Sequence, residues 1–121
     1  MNGAVGWIEY KGKKILLSDY AGLKGEEFLA AIDATRKELM KLPVGAYHRT
    51  LTVITDTDVS PASAAKGQAI SDLLRERRLV GHQAIVGASG TVESVIPVIK
   101  PGVHLAKTIE EAKDWLVSQP E

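Results

Sequence analysis

Two short runs, Leu51–Thr55 and His82–Val86, are built of aliphatic, β-branched and neutral polar residues with no formal charge, and each gives way to a polar turn and then to a helical pattern. An uncharged strand of this kind is one covered on both faces. Strand followed by helix, twice in succession, restricts the chain to a mainly parallel sheet flanked by helices. Ahead of these units, Val5–Tyr10 and Lys14–Asp19 flank the turn Lys11-Gly12-Lys13 and read as an antiparallel hairpin. Trp7 and Glu9 share one face of it, Ile8 and Tyr10 the other.

The helices follow from spacing and capping. Glu26 to Leu42 places Phe28, Ile32, Leu39 and Leu42 on one face, and Pro43 and Gly45 stop it. Ser60-Pro61 reads as an N-cap followed by proline at the first helical position, opening a helix to about Arg78. Ala62, Ala65, Ala69, Ile70, Leu73 and Leu74 are expected to face inward. After the turn Gly87-Ala88-Ser89-Gly90, Thr91 caps a short helix that Pro97 ends. Val103–Lys107 is a last short strand. Thr108-Ile109-Glu110-Glu111 is a capping box for a closing helix expected to bury Ile109, Ala112, Trp115 and Leu116. The expected fold is α/β: a five-stranded mixed, mainly parallel sheet with an N-terminal β-hairpin and about four helices, forming one domain over residues 1–121.

Several function classes are disfavoured by composition. Fifteen Lys and Arg balance fifteen Asp and Glu, so no net charge draws the chain to nucleic acid or an acidic membrane. Cysteine is absent, which removes thiolate nucleophiles and Cys-type zinc sites and fits a cytoplasmic location. No secretory signal or transmembrane segment is read in the chain. His48, His82 and His104 lack metal-ligand spacing and read as surface or strand-end residues, so no metal and no cofactor is expected.

The segments Trp7–Leu16, Asp19–Phe28 and Thr108–Leu116 resemble the small bacterial SpoIIAA-like proteins, grouped with the STAS domains and sometimes labelled STAS/SEC14. The resemblance covers nearly the whole chain through element order, hairpin, the Gly22-Leu23-Lys24-Gly25-Glu26-Glu27 turn and the final helix. It implies a five-stranded sheet and a binding or regulatory role, since STAS domains dock partner proteins and some bind nucleotides. Signalling members carry an Asp-Ser-Ser/Thr-Gly type phosphoacceptor motif after the third strand. Here that place reads Thr55-Asp56-Thr57-Asp58-Val59-Ser60-Pro61-Ala62-Ser63, which departs from it.

Candidate contact residues gather at the carboxyl ends of the two uncharged strands, where open α/β sheets place ligands. The first group is Asp56, Thr57, Asp58, Ser60 and Ser63; the second is Gly87, Ser89, Gly90 and Thr91. Ser60 is either a plain helix cap or a phosphoacceptor at a helix N-terminus. Asp56 and Asp58 are either a cation-holding pair or a solvated turn. The Gly87–Thr91 turn either presents N–H groups to an anion or is an ordinary turn, and it matches neither a P-loop nor a nucleophile elbow. A Ser89 triad with His82 or His104 and Asp56 has little in its favour. Trp7 is either an exposed interface anchor or a residue buried under a helix. The reading is a non-catalytic binding or regulatory module, docking a protein partner or a second copy of itself. The alternative is a carrier or sensor of a lipid-like or phosphate-bearing small molecule.

Overall fold

The structure, a computed structural model, describes residues 5–57, 59–90, 93, 94, 96 and 102–121. Five strands, β1 (Val5–Tyr10), β2 (Lys13–Asp19), β3 (Tyr47–Val53), β4 (Val80–Val86) and β5 (His104–Ala106), form one sheet in the order β1-β2-β3-β4-β5. Only β1 and β2 are antiparallel; every other neighbouring pair is parallel. Lys11 and Gly12 both take positive φ, 51° and 79°, as the two central residues of a tight hairpin turn require. Three helices have defined bounds: α1 (Gly25–Met40), α2 (Pro61–Glu76) and α3 (Ile109–Ser118). Three is one fewer than expected; Glu93, Ser94 and Ile96 are helical where the fourth, short helix is expected, and Gly90 before them has φ 58°. Thr91, its expected cap, and Pro97, its expected end, lie outside the described residues. Among the described residues no helix is long and apolar enough to cross a membrane.

The two sides of the sheet are packed differently. Helix α3 lies against β2, β3, β4 and β5, and with it Ile15, Leu51, Ala84, Ala112 and Leu116 form a core with no solvent exposure. Tyr10 and Lys11 tie the hairpin to this helix, both donating to Asp114 Oδ1, at 2.7 and 3.0 Å. The Tyr10 phenol is pushed up to about 12, chiefly because it donates to the Asp114 carboxylate. On the opposite side, α1 and α2 pack on each other, and α2 barely touches the strands. The buried residues there fall into two separate groups, one around Tyr20, Phe28 and Ile32 and one around Leu16, Leu39 and Leu73.

Several boundaries and faces differ from expectation. Strand β3 begins at Tyr47 rather than Leu51, because His48 and Arg49 are buried in it despite their polarity. Helix α2 ends at Glu76, with Arg78 in the left-handed region at φ 54°. Ala62, Ala65 and Ala69 are exposed; the inward stripe of α2 is Ser63, Gly67, Ile70, Leu73 and Leu74. A run rich in alanine has little contrast between its faces, so hydrophobic period alone does not orient it. Ile109 is 37% exposed at the first turn of α3, whereas Ala112 and Leu116 are buried as expected and Trp115 is half-buried.

Candidate functional site

The turns after β3 and β4 lie side by side, as expected from their place at adjacent strand ends. The Ile54 N–H donates to the Val86 carbonyl at 2.8 Å, and the backbone of Gly87 runs against Thr55. Gly87 has φ 91°, and a Cβ there would collide with the Thr55 hydroxyl and backbone, so the crossing needs glycine.

Ser60, Ser63 and Thr57 spend their polar groups on the first turn itself. Ser60 Oγ accepts from the Ser63 N–H at 3.2 Å while Ser63 Oγ accepts from the Ser60 N–H at 2.8 Å, a reciprocal cap with Pro61 at the first turn. Ser63 is itself buried. Thr57 Oγ1 donates to the Ile54 carbonyl at 2.8 Å. Asp56 is in the left-handed region at φ 56°, with an 80% exposed side chain that meets Lys24 at only 3.9 Å. Ser89 and Gly90 are exposed. Asp58 and Thr91 lie outside the described residues. His82 Nδ1 is bonded to the Tyr47 hydroxyl at 2.7 Å, and His104 stacks on Trp115 at 4.6 Å. No hydrogen bond joins either imidazole to Ser89 among the described residues. No group of three or more metal-ligating side chains occurs among the described residues.

What the structure does build is a cavity of about 470 Å³ between α1, α2 and the sheet. Its position follows from the sequence of α2. The residues that α2 turns toward β3 and β4 are small in its first half, Ser63 and Gly67, and large only from Ile70 onward, so the space above the two strands is left unfilled. Glycine in a helix interior costs about 0.5–1 kcal/mol relative to alanine. A Cβ at Gly67 would meet nothing within 4 Å, so crowding does not explain the glycine.

The walls are mostly apolar: Phe28 and Ile32 from α1, Ile70 and Leu74 from α2, and Ile54 and Ile85 from the sheet side. Hydrogen-bonding groups are few and uncharged among the described residues. Thr50, Thr52 and Gln83 line the sheet side, and Ser63 and Gln68 the α2 side. On the α1 side Thr35 Oγ1 bridges Tyr20 Oη and Ser18 Oγ, the latter at 2.7 Å. Burial raises the Tyr20 phenol above its ordinary value, so it is a neutral hydroxyl at physiological pH. A cavity of several hundred Å³, largely apolar with a few placed polar groups, has the make-up of a small-molecule site.

Of the expected contact residues, Ser63 lines this cavity, with Val59 from the same loop. Its body was missed by reasoning from turns. Two signals in the chain point to it: the small residues Ser63 and Gly67 on the inward stripe of α2, and the neutral polar residues Thr50, Thr52 and Gln83 on the cavity face of β3 and β4. Thr52, Gln83 and Ile85 are half-buried, so β3 and β4 are sealed on the α3 side and not on this one.

Neither a protein-family model nor a curated protein matches the sequence. Among solved structures, the chain is similar to an uncharacterized DUF3478-family protein with a SpoIIAA-like fold from Shewanella loihica PV-4. The superposition has a TM-score of 0.63 at 19% identity and covers 93% of this chain and 92% of the other. The chain has the SpoIIAA-like fold, as the resemblance in its hairpin and final helix implies.

Proposed function

We propose that this SpoIIAA-like domain is a non-catalytic binding module that holds an apolar small molecule in the cavity beneath α2. The observation that carries the reading is the cavity itself: about 470 Å³ of space walled by isoleucine, leucine and phenylalanine, kept open by a helix with glycine and serine at its inward positions. Filling it with an apolar body removes that wall from water at roughly 25 cal/mol per Å². The hydroxyls and amide of Thr50, Thr52 and Gln83 orient a neutral hydrogen-bonding end. The non-catalytic part rests on the candidate reacting groups being dispersed: Ser60 and Ser63 cap α2, and His82 and His104 are engaged with Tyr47 and Trp115. A second reading, a protein partner or a second copy docking on the loop from Asp56 to Ser63, draws on the exposure of Asp56 and of Val59, which is 47% exposed.

Native mass spectrometry of the protein purified from its own cells separates the two. A stoichiometric apolar adduct, lost in Gly67→Phe, is the expected result. A co-purifying polypeptide or a bare dimer, with the cavity empty, would instead favour the docking reading.

A further inference from the structure

At the opposite end of β3 the sheet opens. The β2–β3 ladder runs only from Leu16 beside Thr50 to Asp19 beside Val53. Below it, Lys13–Ile15 pair with β1, and Tyr47–Arg49 pair with β4, but the two segments do not pair with each other. A second pocket, of about 360 Å³, lies at this fork, lined by Trp7, Lys14, Leu42, Tyr47, His48 and Arg49, with Glu121 at its edge.

The charges there are incompletely matched. Arg49 is 5% exposed, and a buried guanidinium requires partners for its five N–H groups. Nε donates to the Leu116 carbonyl at 3.1 Å, and Nη2 meets Glu121 Oε2 at a long 3.5 Å, with the Tyr47 ring 4.8 Å from the guanidinium carbon. Nη1 has no hydrogen-bond partner among the described residues and reaches solvent. Lys14 is exposed and makes no ion pair within 4 Å among the described residues. His48 is 4% exposed, and its Nδ1 is buried without a partner. Arg49 thus meets a single side-chain carboxylate, on a 61% exposed residue, while Lys14 lines the same pocket without an ion pair among the described residues.

We propose that this fork is a binding site for a small organic carboxylate. The Arg49 guanidinium and the Lys14 ammonium take the anion, and Trp7, Tyr47 and Leu42 contact its apolar body. The contact Arg49 already makes is with a carboxylate, and the planar fork of a guanidinium matches two carboxylate oxygens. The side chain of Glu121 stands in the ligand's place as a loosely held internal competitor. The site is separate from the cavity beneath α2 and does not depend on it.

Benzoate is a suitable probe, followed by amide and indole N–H shifts in two-dimensional NMR, with benzamide as the neutral control and inorganic phosphate as the competing anion. Saturable shifts at Lys14, His48, Arg49 and the Trp7 indole are expected with benzoate and not with benzamide. Glu121→Ala removes the competitor and should tighten binding several-fold. Lys14→Met should weaken it several-fold, and Arg49→Gln about tenfold or more. Lys14 and Glu121 are exposed, so their variants report even if Arg49→Gln fails to fold. The site is refuted by no saturable shift in either the parent chain or Glu121→Ala, by Lys14→Met binding as the parent does, or by phosphate binding more tightly than benzoate.

Discussion

The two sides of this sheet show how one small α/β fold divides stability from room. Against α3, Ile15, Leu51, Ala84, Ala112 and Leu116 close into one cluster without solvent exposure. Against α1 and α2, the buried residues separate into two clusters with a cavity of about 470 Å³ between sheet and helices. Both sides cover the same central strands. The difference lies in the helices: α3 brings alanine and leucine down onto the strands, whereas α2 rests on α1 and presents serine and glycine to the gap. Close packing is the rule for protein interiors, and departures from it by more than a water or two are few.

Paired truncations test the contrast most strongly. Leu116→Ala, on the packed side, should lose about 2–5 kcal/mol by chemical denaturation. Ile85→Ala, whose side chain already borders open space, should lose about 1 kcal/mol. Equal losses would mean that the two sides are equally filled.

The looser side is not loose along its whole length, and pH sharpens that point. At the base of β3, burial and, secondarily, the nearby His82 lower His48 from 6.5 to about 4. The unfolded chain therefore takes up that proton first as pH falls. The stability held by the neutral imidazole is complete above about pH 6.5 and is lost as pH drops through 4, amounting to about 3 kcal/mol. Denaturation midpoints across this window should fall for the parent chain and flatten in His48→Gln; a parent chain unaffected by pH there would place His48 in water.

Smaller effects probe α2. Ser60→Ala removes one half of the reciprocal cap and should cost about 1 kcal/mol, with Ser60→Asp retaining most of it. Gly67→Ala should stabilise by about 0.5–1 kcal/mol, because the added methyl meets open space and the helix gains propensity. A loss of stability at Gly67→Ala would mean that the gap beside it is already filled.

Much of this architecture is legible in the chain. The hairpin is announced by Lys11-Gly12, the caps by Ser60-Pro61 and Thr108 with Glu111, and the parallel order by strands that give way to helices. These are local signals whose geometry is set within a few residues. Burial of His48 and Arg49 was not legible, because what accommodates them is distant: the Leu116 carbonyl from α3 and the neighbouring strand at Gly81, where a Cβ would fall on the His48 carbonyl. Nor did turn chemistry reveal the cavity, which is a space bounded by α1, α2, β3 and β4 rather than a property of any one of them. The turns meet where Ile54 and Thr55 run beside Val86 and Gly87, and Thr57, Ser60 and Ser63 serve the turn and the cap of α2.

Isoleucine methyl groups sample both sides of the sheet, which makes methyl NMR the direct test of the binding site. Ile32, Ile54, Ile70, Ile85 and Ile96 line the cavity, while Ile8 and Ile15 belong to the packed side. Titration with 1-decanol, a neutral chain with a single hydroxyl, should shift the first set saturably and leave the second unmoved. Shifts that never saturate, or that spread equally over both sets, would contradict a ligand site beneath α2.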